Sequence, residues 1–140
     1  MTRYLCAVLL LAGCAGAPAT EMRVILEPST YSATMSSKLG LALTAVAEAP
    51  PGVRVRHIWH ADAGYFLTQN EATGEIVNLG REVQTEEVKI LWSYDPSEPA
   101  ALEKRAIAIS AIAENAKNSR SLARTDMTLV WDGDVVRAVH

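Results

Sequence analysis

Cysteine is almost missing from this sequence. The 140 residues contain two, Cys6 and Cys14, and none follows them. A body folded from the remaining chain can make no disulfide, no thiolate zinc site and no cysteine nucleophile, so its stability must come from packing. Positive charge is also sparse. Lys and Arg number 13 against 16 Asp and Glu, the net charge is −3, and no run of Lys or Arg forms a phosphate track. That balance argues against nucleic acid as a partner and against electrostatic docking to anionic lipid. Catalytic signatures are absent too: there is no Gly-x-Ser-x-Gly elbow, Gly-x-Gly-x-x-Gly, Gly-Lys-Ser/Thr loop or His-Glu-x-x-His. Acidic residues are plentiful, but nothing in their spacing brings two to the ~5–9 Å that glycoside hydrolysis needs. The expectation is a protein without enzymatic activity and without a cofactor.

What is present first is an address. Arg3 precedes the apolar run of residues 5–11, which is too short to cross a bilayer and ends in small residues. The next four residues of interest, Leu11-Ala12-Gly13-Cys14, resemble a bacterial lipobox. The resemblance implies cleavage before Cys14, a diacylglycerol thioether on its sulfur and an acyl chain on its new amino group. Residues 1–13 would then be a signal peptide, residues 14–20 a lipidated cysteine and tether, and residues 21–140 one domain. The mature chain of 127 residues is large enough for a single core, and the loss of Arg3 takes its charge to about −4. Two or three acyl chains hold a membrane firmly, at ~0.8 kcal/mol per buried methylene. In lipoproteins an Asp after the modified cysteine commonly marks inner-membrane retention. Here that residue is Ala15, which favours the outer membrane, facing the periplasm.

From Glu21 onward the apolar period is two. Met22–Glu27 reads as a strand stopped by Pro28, and residues 38–48 place Leu39, Leu41, Leu43 and Ala45 on one face. Pro50, Pro51 and Gly52 make a turn, because proline cannot donate to a ladder. Residues 53–59 alternate Val53, Val55, His57 and Trp59 against Arg54, Arg56 and Ile58, and Gly64 closes that strand. A short extended piece follows at 65–67, then a polar loop at 69–74 and a small edge strand at 75–79. Residues 81–85 are polar. Residues 86–94 put Val88, Ile90, Trp92 and Tyr94 on one face. After a connection at 99–102 come strands at 104–113, with Ile107 and Ile109 inward, and at 122–131, with Met127, Leu129 and Trp131 aligned. The pair Asp132-Gly133 suits a turn, after which Val135–Val139 either folds back as one more short strand or continues past a bulge. All six prolines lie outside these strand interiors. The fold class expected is all-β, an antiparallel immunoglobulin-like β-sandwich of about seven strands.

The run 38–130 also resembles the bacterial immunoglobulin-like and PKD-like domains of surface and periplasmic proteins. It is carried by Trp59-His60-Ala61-Asp62-Ala63-Gly64-Tyr65-Phe66, by Trp92-Ser93-Tyr94-Asp95-Pro96, and by the strand, polar turn and long strand of residues 106–130. The resemblance implies a sandwich. Trp59, Trp92 and Trp131 are its expected core anchors, each removing roughly 150–250 Å² from water.

Few residues offer chemistry. His60 and Asp62 share strand parity and are the nearest approach to a metal pair. His57 points the other way, and His140 could join only if the carboxyl terminus folds back. Asp126, Asp132 and Asp134 lack the pattern of a calcium loop and read as a solvated turn. Arg54 and Arg56 could grip an anionic partner or face carboxylates of a neighbouring strand, for which Glu86, Glu87 and Asp95 are available. Tyr65 is the expected partner contact, with Phe66 turned inward. The leading expectation is a lipid-anchored envelope module that binds or scaffolds another envelope component. A periplasmic small-ligand or metal-binding protein is the alternative, and a hydrolase or hydrolase inhibitor a weaker one.

Overall fold

The computed structural model describes residues 21–97, 106–132 and 135–139. Among them lie eleven strands and no helix: β1 (Met22–Glu27), β2 (Thr30–Tyr31), β3 (Leu41–Ala47), β4 (Val55–Ala61), β5 (Tyr65–Gln69), β6 (Ile76–Gly80), β7 (Glu82–Thr85), β8 (Lys89–Ser93), β9 (Ala106–Asn115), β10 (Ser121–Asp132) and β11 (Val135–Val139). They form two antiparallel sheets, ordered β1-β3-β8-β5-β6 and β2-β11-β10-β9-β4-β7. The chain is therefore an all-β antiparallel sandwich.

Seven strands carry the immunoglobulin-like order. β1-β3-β8-β5 follows the A-B-E-D sheet and β10-β9-β4 the G-F-C sheet of such domains. The expected count of about seven is thus too low, because β2, β6, β7 and β11 extend both sheets. β6 and β11 fall on segments that the apolar pattern picks out, whereas β2 and β7 do not. β7 (Glu-Val-Gln-Thr) buries only Val83, and one inward residue makes no readable alternation.

Alternation fixes the core wherever a strand stays in one sheet. β3 turns Leu41, Leu43 and Ala45 inward, β4 turns His57, Trp59 and Ala61, and β9 turns Ile107, Ile109, Ala111 and Ala113. Trp59 sits on the strand equivalent to C, where immunoglobulin-like sandwiches bury a tryptophan. Its ring lies 6.0 Å from that of Phe66 on the opposing sheet. Trp92 is also fully buried.

Three expectations about side chains fail where the chain changes direction. Leu39 lies ahead of β3 and is 38% exposed, because its carbonyl leaves the strand path to accept from the Tyr31 hydroxyl at 3.2 Å. Val88 is 53% exposed. The chain passes from β7 in one sheet to β8 in the other at residues 86–88, so Val88 does not share the face of Ile90 and Trp92. Trp131 is half-buried and packs at the margin of the core rather than within it, since β10 there nears its end. The start of the expected 104–113 strand lies outside the described residues, and β9 runs to Asn115, beyond the expected end. Residues 1–20, the 99–102 connection and Gly133 are likewise outside.

Candidate functional site

The outer face of the second sheet collects most of the polar residues singled out above. Pairing with inward His57 and Trp59 leaves Arg56, Ile58 and His60 pointing out of β4. The register sets Ile58 beside Ile112 of β9 and Gln84 of β7, with Arg124 of β10 next in the row. Two isoleucines thus stand at the centre of this face, ringed by charge. Arg56 pairs with Glu114 and donates to the Ser119 hydroxyl at 3.0 Å. Arg124 meets Asp126 at 3.0 Å, and His60 lies 3.8 Å from Glu82. Just before β4, Arg54 pairs with Glu86. That hydrogen bonding holds the Glu86 carboxyl below its ordinary range and raises the Arg54 guanidinium. Arg124 lowers Asp126 in the same way. Of the three carboxylates expected opposite the arginines, only Glu86 serves. Asp95 accepts from the Ser97 hydroxyl and amide instead. Glu114 is the partner that strand order supplies, and it is only 7% exposed.

His60 and Asp62 do not converge. β4 lies between β7 and β9, and the two side chains turn to opposite neighbours. His60 leans towards Glu82 on β7, while the Asp62 carboxylate accepts from the Ala108 amide of β9 at 3.0 Å. Among the described residues no group of three His, Cys, Asp or Glu could hold a metal ion. His140, Asp134 and the Asp132 side chain lie outside the described residues, as does Cys14.

Tyr65 opens β5, is half-buried and pairs with Ser93 of β8. Phe66 is fully buried. The aromatic cluster that sequence reasoning missed is Tyr31, Trp92 and Tyr94. Tyr31 and Tyr94 meet edge to face with centroids 6.1 Å apart, and Trp92 is 5.9 Å from Tyr94. Ser93 Oγ lies 2.9 Å from the Tyr31 hydroxyl, and the Ala33 amide donates to the Tyr94 hydroxyl. Burial pushes the Tyr31 phenol above its usual value. These contacts join β2 of one sheet to β8 of the other.

No family model, curated protein or solved structure matches this chain. The site is therefore judged on its own geometry.

Two clefts flank the crossing at residues 86–88. One, of about 650 Å³, opens where β5 and β8 part beyond the Leu67–Leu91 pair, and is lined by Thr68, Gln69, Glu71, Glu87 and Lys89 among others. The other, of about 370 Å³, is mostly apolar and lined by Ala45, Ala47, Val55, His57 and Val88. Burial pushes the His57 imidazole below its ordinary pKa, and a hydrogen bond to the Glu87 backbone offsets part of that shift. His57 Nδ1 has no hydrogen-bond partner among the described residues.

The sheet margins differ sharply. β2 has two residues, β7 carries Glu82, and β1 sets Arg23, Ile25 and Glu27 on its outward positions. Short length and charge are the usual guards against a second strand adding to an edge. β6, Ile76-Val77-Asn78-Leu79-Gly80, closes the first sheet and has no charged residue. Ile76 is 50% and Val77 43% exposed. The sequence reads this segment as a small edge strand, and its place at the sheet's end makes it accessible.

Proposed function

We propose that this protein is a lipid-anchored, non-enzymatic module of the bacterial cell envelope that binds or scaffolds another envelope component. The observation that carries the reading is Leu11-Ala12-Gly13-Cys14 behind Arg3 and an apolar run, followed by a body without cysteine. Acyl chains on Cys14 attach the amino end to the membrane, and Ala15 directs it to the inner face of the outer membrane. The short tether of small residues then lets the sandwich reach a neighbour. The self-paired charges of the β4–β9–β10 face support a contact surface over a reaction centre, since Arg56 and Arg124 are already engaged. The charge-free β6 edge, although its pairing with β5 is irregular opposite Phe66 and Leu67, supports main-chain contact with an extended strand.

Labelling cells with a fatty-acid probe tests the anchor. The full chain should take up label and fractionate with the outer membrane. Cys14→Ser should abolish both, and equal labelling of wild type and variant would overturn the proposal.

A further inference from the structure

We propose that His57 is an acid-sensitive latch on the crossing at residues 86–88: protonation of its imidazole frees that segment and opens the apolar cleft beside it. The latch belongs to the body of the fold and does not depend on Cys14. Three observations carry it. His57 is 3% exposed and lines the cleft with Ala45, Ala47, Val55 and Val88. Its ring is hydrogen-bonded to the Glu87 backbone, while Nδ1 has no partner among the described residues. The crossing joins β7 to β8, and its residues 86–88 are all exposed.

A neutral imidazole has one N–H donor, and the Glu87 backbone receives it. The imidazolium has two, and a buried charged group with a donor left unpaired is strongly disfavoured. Burial accordingly holds the ring below its ordinary value of 6.5. The folded chain can accept the proton only by giving the second donor water or a carboxylate, so one wall of the cleft must move. β4 is fixed at His57 itself, paired with Thr85 of β7 on one side and Ala113 of β9 on the other. The crossing is held more lightly. The Ala45 amide donates to the Val88 carbonyl at 2.8 Å, and the Glu87 amide donates to Thr85 Oγ1 at 3.0 Å.

The charges around the ring favour the released state. β3 brings Thr44, Ala45 and Ala47 to the cleft, and β7 and β9 set Thr85 and Ala113 against His57, none of them charged. Arg56 is paired with Glu114, and Glu87 and Lys89 line the larger cleft instead. Glu86, paired with Arg54 when the latch is closed, is the carboxylate that lines this cleft with His57. It stands at the rim, where a freed imidazolium meets it. Release bares Ala45, Ala47 and Val55, so acid exposes an apolar surface that is closed at neutral pH.

Amide exchange of the full chain in mild detergent micelles, read by NMR from pH 7.5 to 5 and corrected for intrinsic rates, tests this. The Ala45 amide reports the crossing, because its acceptor is Val88. Its protection should fall by up to about tenfold per pH unit once the His57 ring titrates, while Ile109 and Leu129 keep theirs. His60→Gln should respond as wild type does, and His57→Gln should lose the response. Unchanged protection at Ala45 while the ring titrates would overturn the proposal, as would a ring that stays neutral to pH 5. So would equal losses at Ile109 and Leu129, which mark unfolding of the whole body, or a response that persists in His57→Gln. The wild-type measurements decide the matter alone if His57→Gln fails to fold.

Discussion

Replacing Gly64 with alanine probes the point where the chain passes from β4 of the second sheet to β5 of the first. β4 ends at Ala61 and β5 begins at Tyr65 in the opposite sheet, so the crossing has three residues. Two features hold it: the Trp92 indole donates to the Ala63 carbonyl at 3.0 Å, and Gly64 adopts φ +70°. A Cβ on Gly64 would lie 2.5 Å from the Ser93 carbonyl oxygen and 2.5 Å from Cζ2 of the fully buried Trp92 ring. The left-handed conformation costs a side chain ~1–2 kcal/mol, and forcing an atom into a packed core adds ~1–3 kcal/mol. Gly64→Ala should therefore lose about 2–5 kcal/mol, a large share of the ~5–15 kcal/mol typical of a domain. Gly52 supplies the control. Its φ is +81°, yet a Cβ there would meet nothing within 4 Å, so Gly52→Ala should show the conformational cost alone, ~1–2 kcal/mol. Urea unfolding followed by tryptophan fluorescence reads both variants, with m-values unchanged if only the native state is affected. Equal losses for the two would refute the claim that the Trp92 ring and the Ser93 carbonyl fill the space beside Gly64.

Three further substitutions test the charged and titrating groups. His57 is held neutral by burial, with its folded pKa below the unfolded value of 6.5. As pH falls through that value the unfolded chain gains a proton that the folded chain resists, so stability is intact above it and declines below it, by at most ~1.4 kcal/mol per pH unit. His57→Gln should flatten that limb between pH 7.5 and 5, and an unchanged pH slope would show that other groups set it. Removing Arg56 strands the Glu114 carboxylate, and Arg56→Ala should cost ~2–3 kcal/mol. Arg54→Ala frees an exposed Glu86 and should leave the urea midpoint within error; a larger loss from Arg54→Ala than from Arg56→Ala would reverse the burial argument.

The sequence was most legible where a strand keeps to one sheet and each inward position is apolar. β1 and β11 have the bounds that alternation indicates, and Leu41, Leu43, Trp59, Ile90 and Trp92 lie in the core as their spacing implies. Alternation reports which side chains share a side, but not which sheet a strand joins. Val88, Ile90 and Trp92 alternate perfectly, yet the crossing at 86–88 puts Val88 in solvent. The partners of the charged residues were harder still. Glu114 is 58 positions from Arg56, and only the β4–β9 register makes them neighbours. Likewise the parity shared by His60 and Asp62 was readable, while the divergence of the two side chains depends on strands to either side of β4. The edge position of β6 was readable from its short polar-flanked pattern, whereas which sheet it closes depends on strand order.

The first eleven described residues touch both halves of the molecule. β1 zips along β3 from Met22 against Ala47 to Glu27 against Ala42, and four residues after Glu27, Tyr31 is laced to Val136 of the last strand. Any tension arriving at the amino end is consequently met by the first strand pair in one layer and then by the final strand in the other. A tug there would load the β1–β3 pair of one layer and, through β2, the final strand of the other.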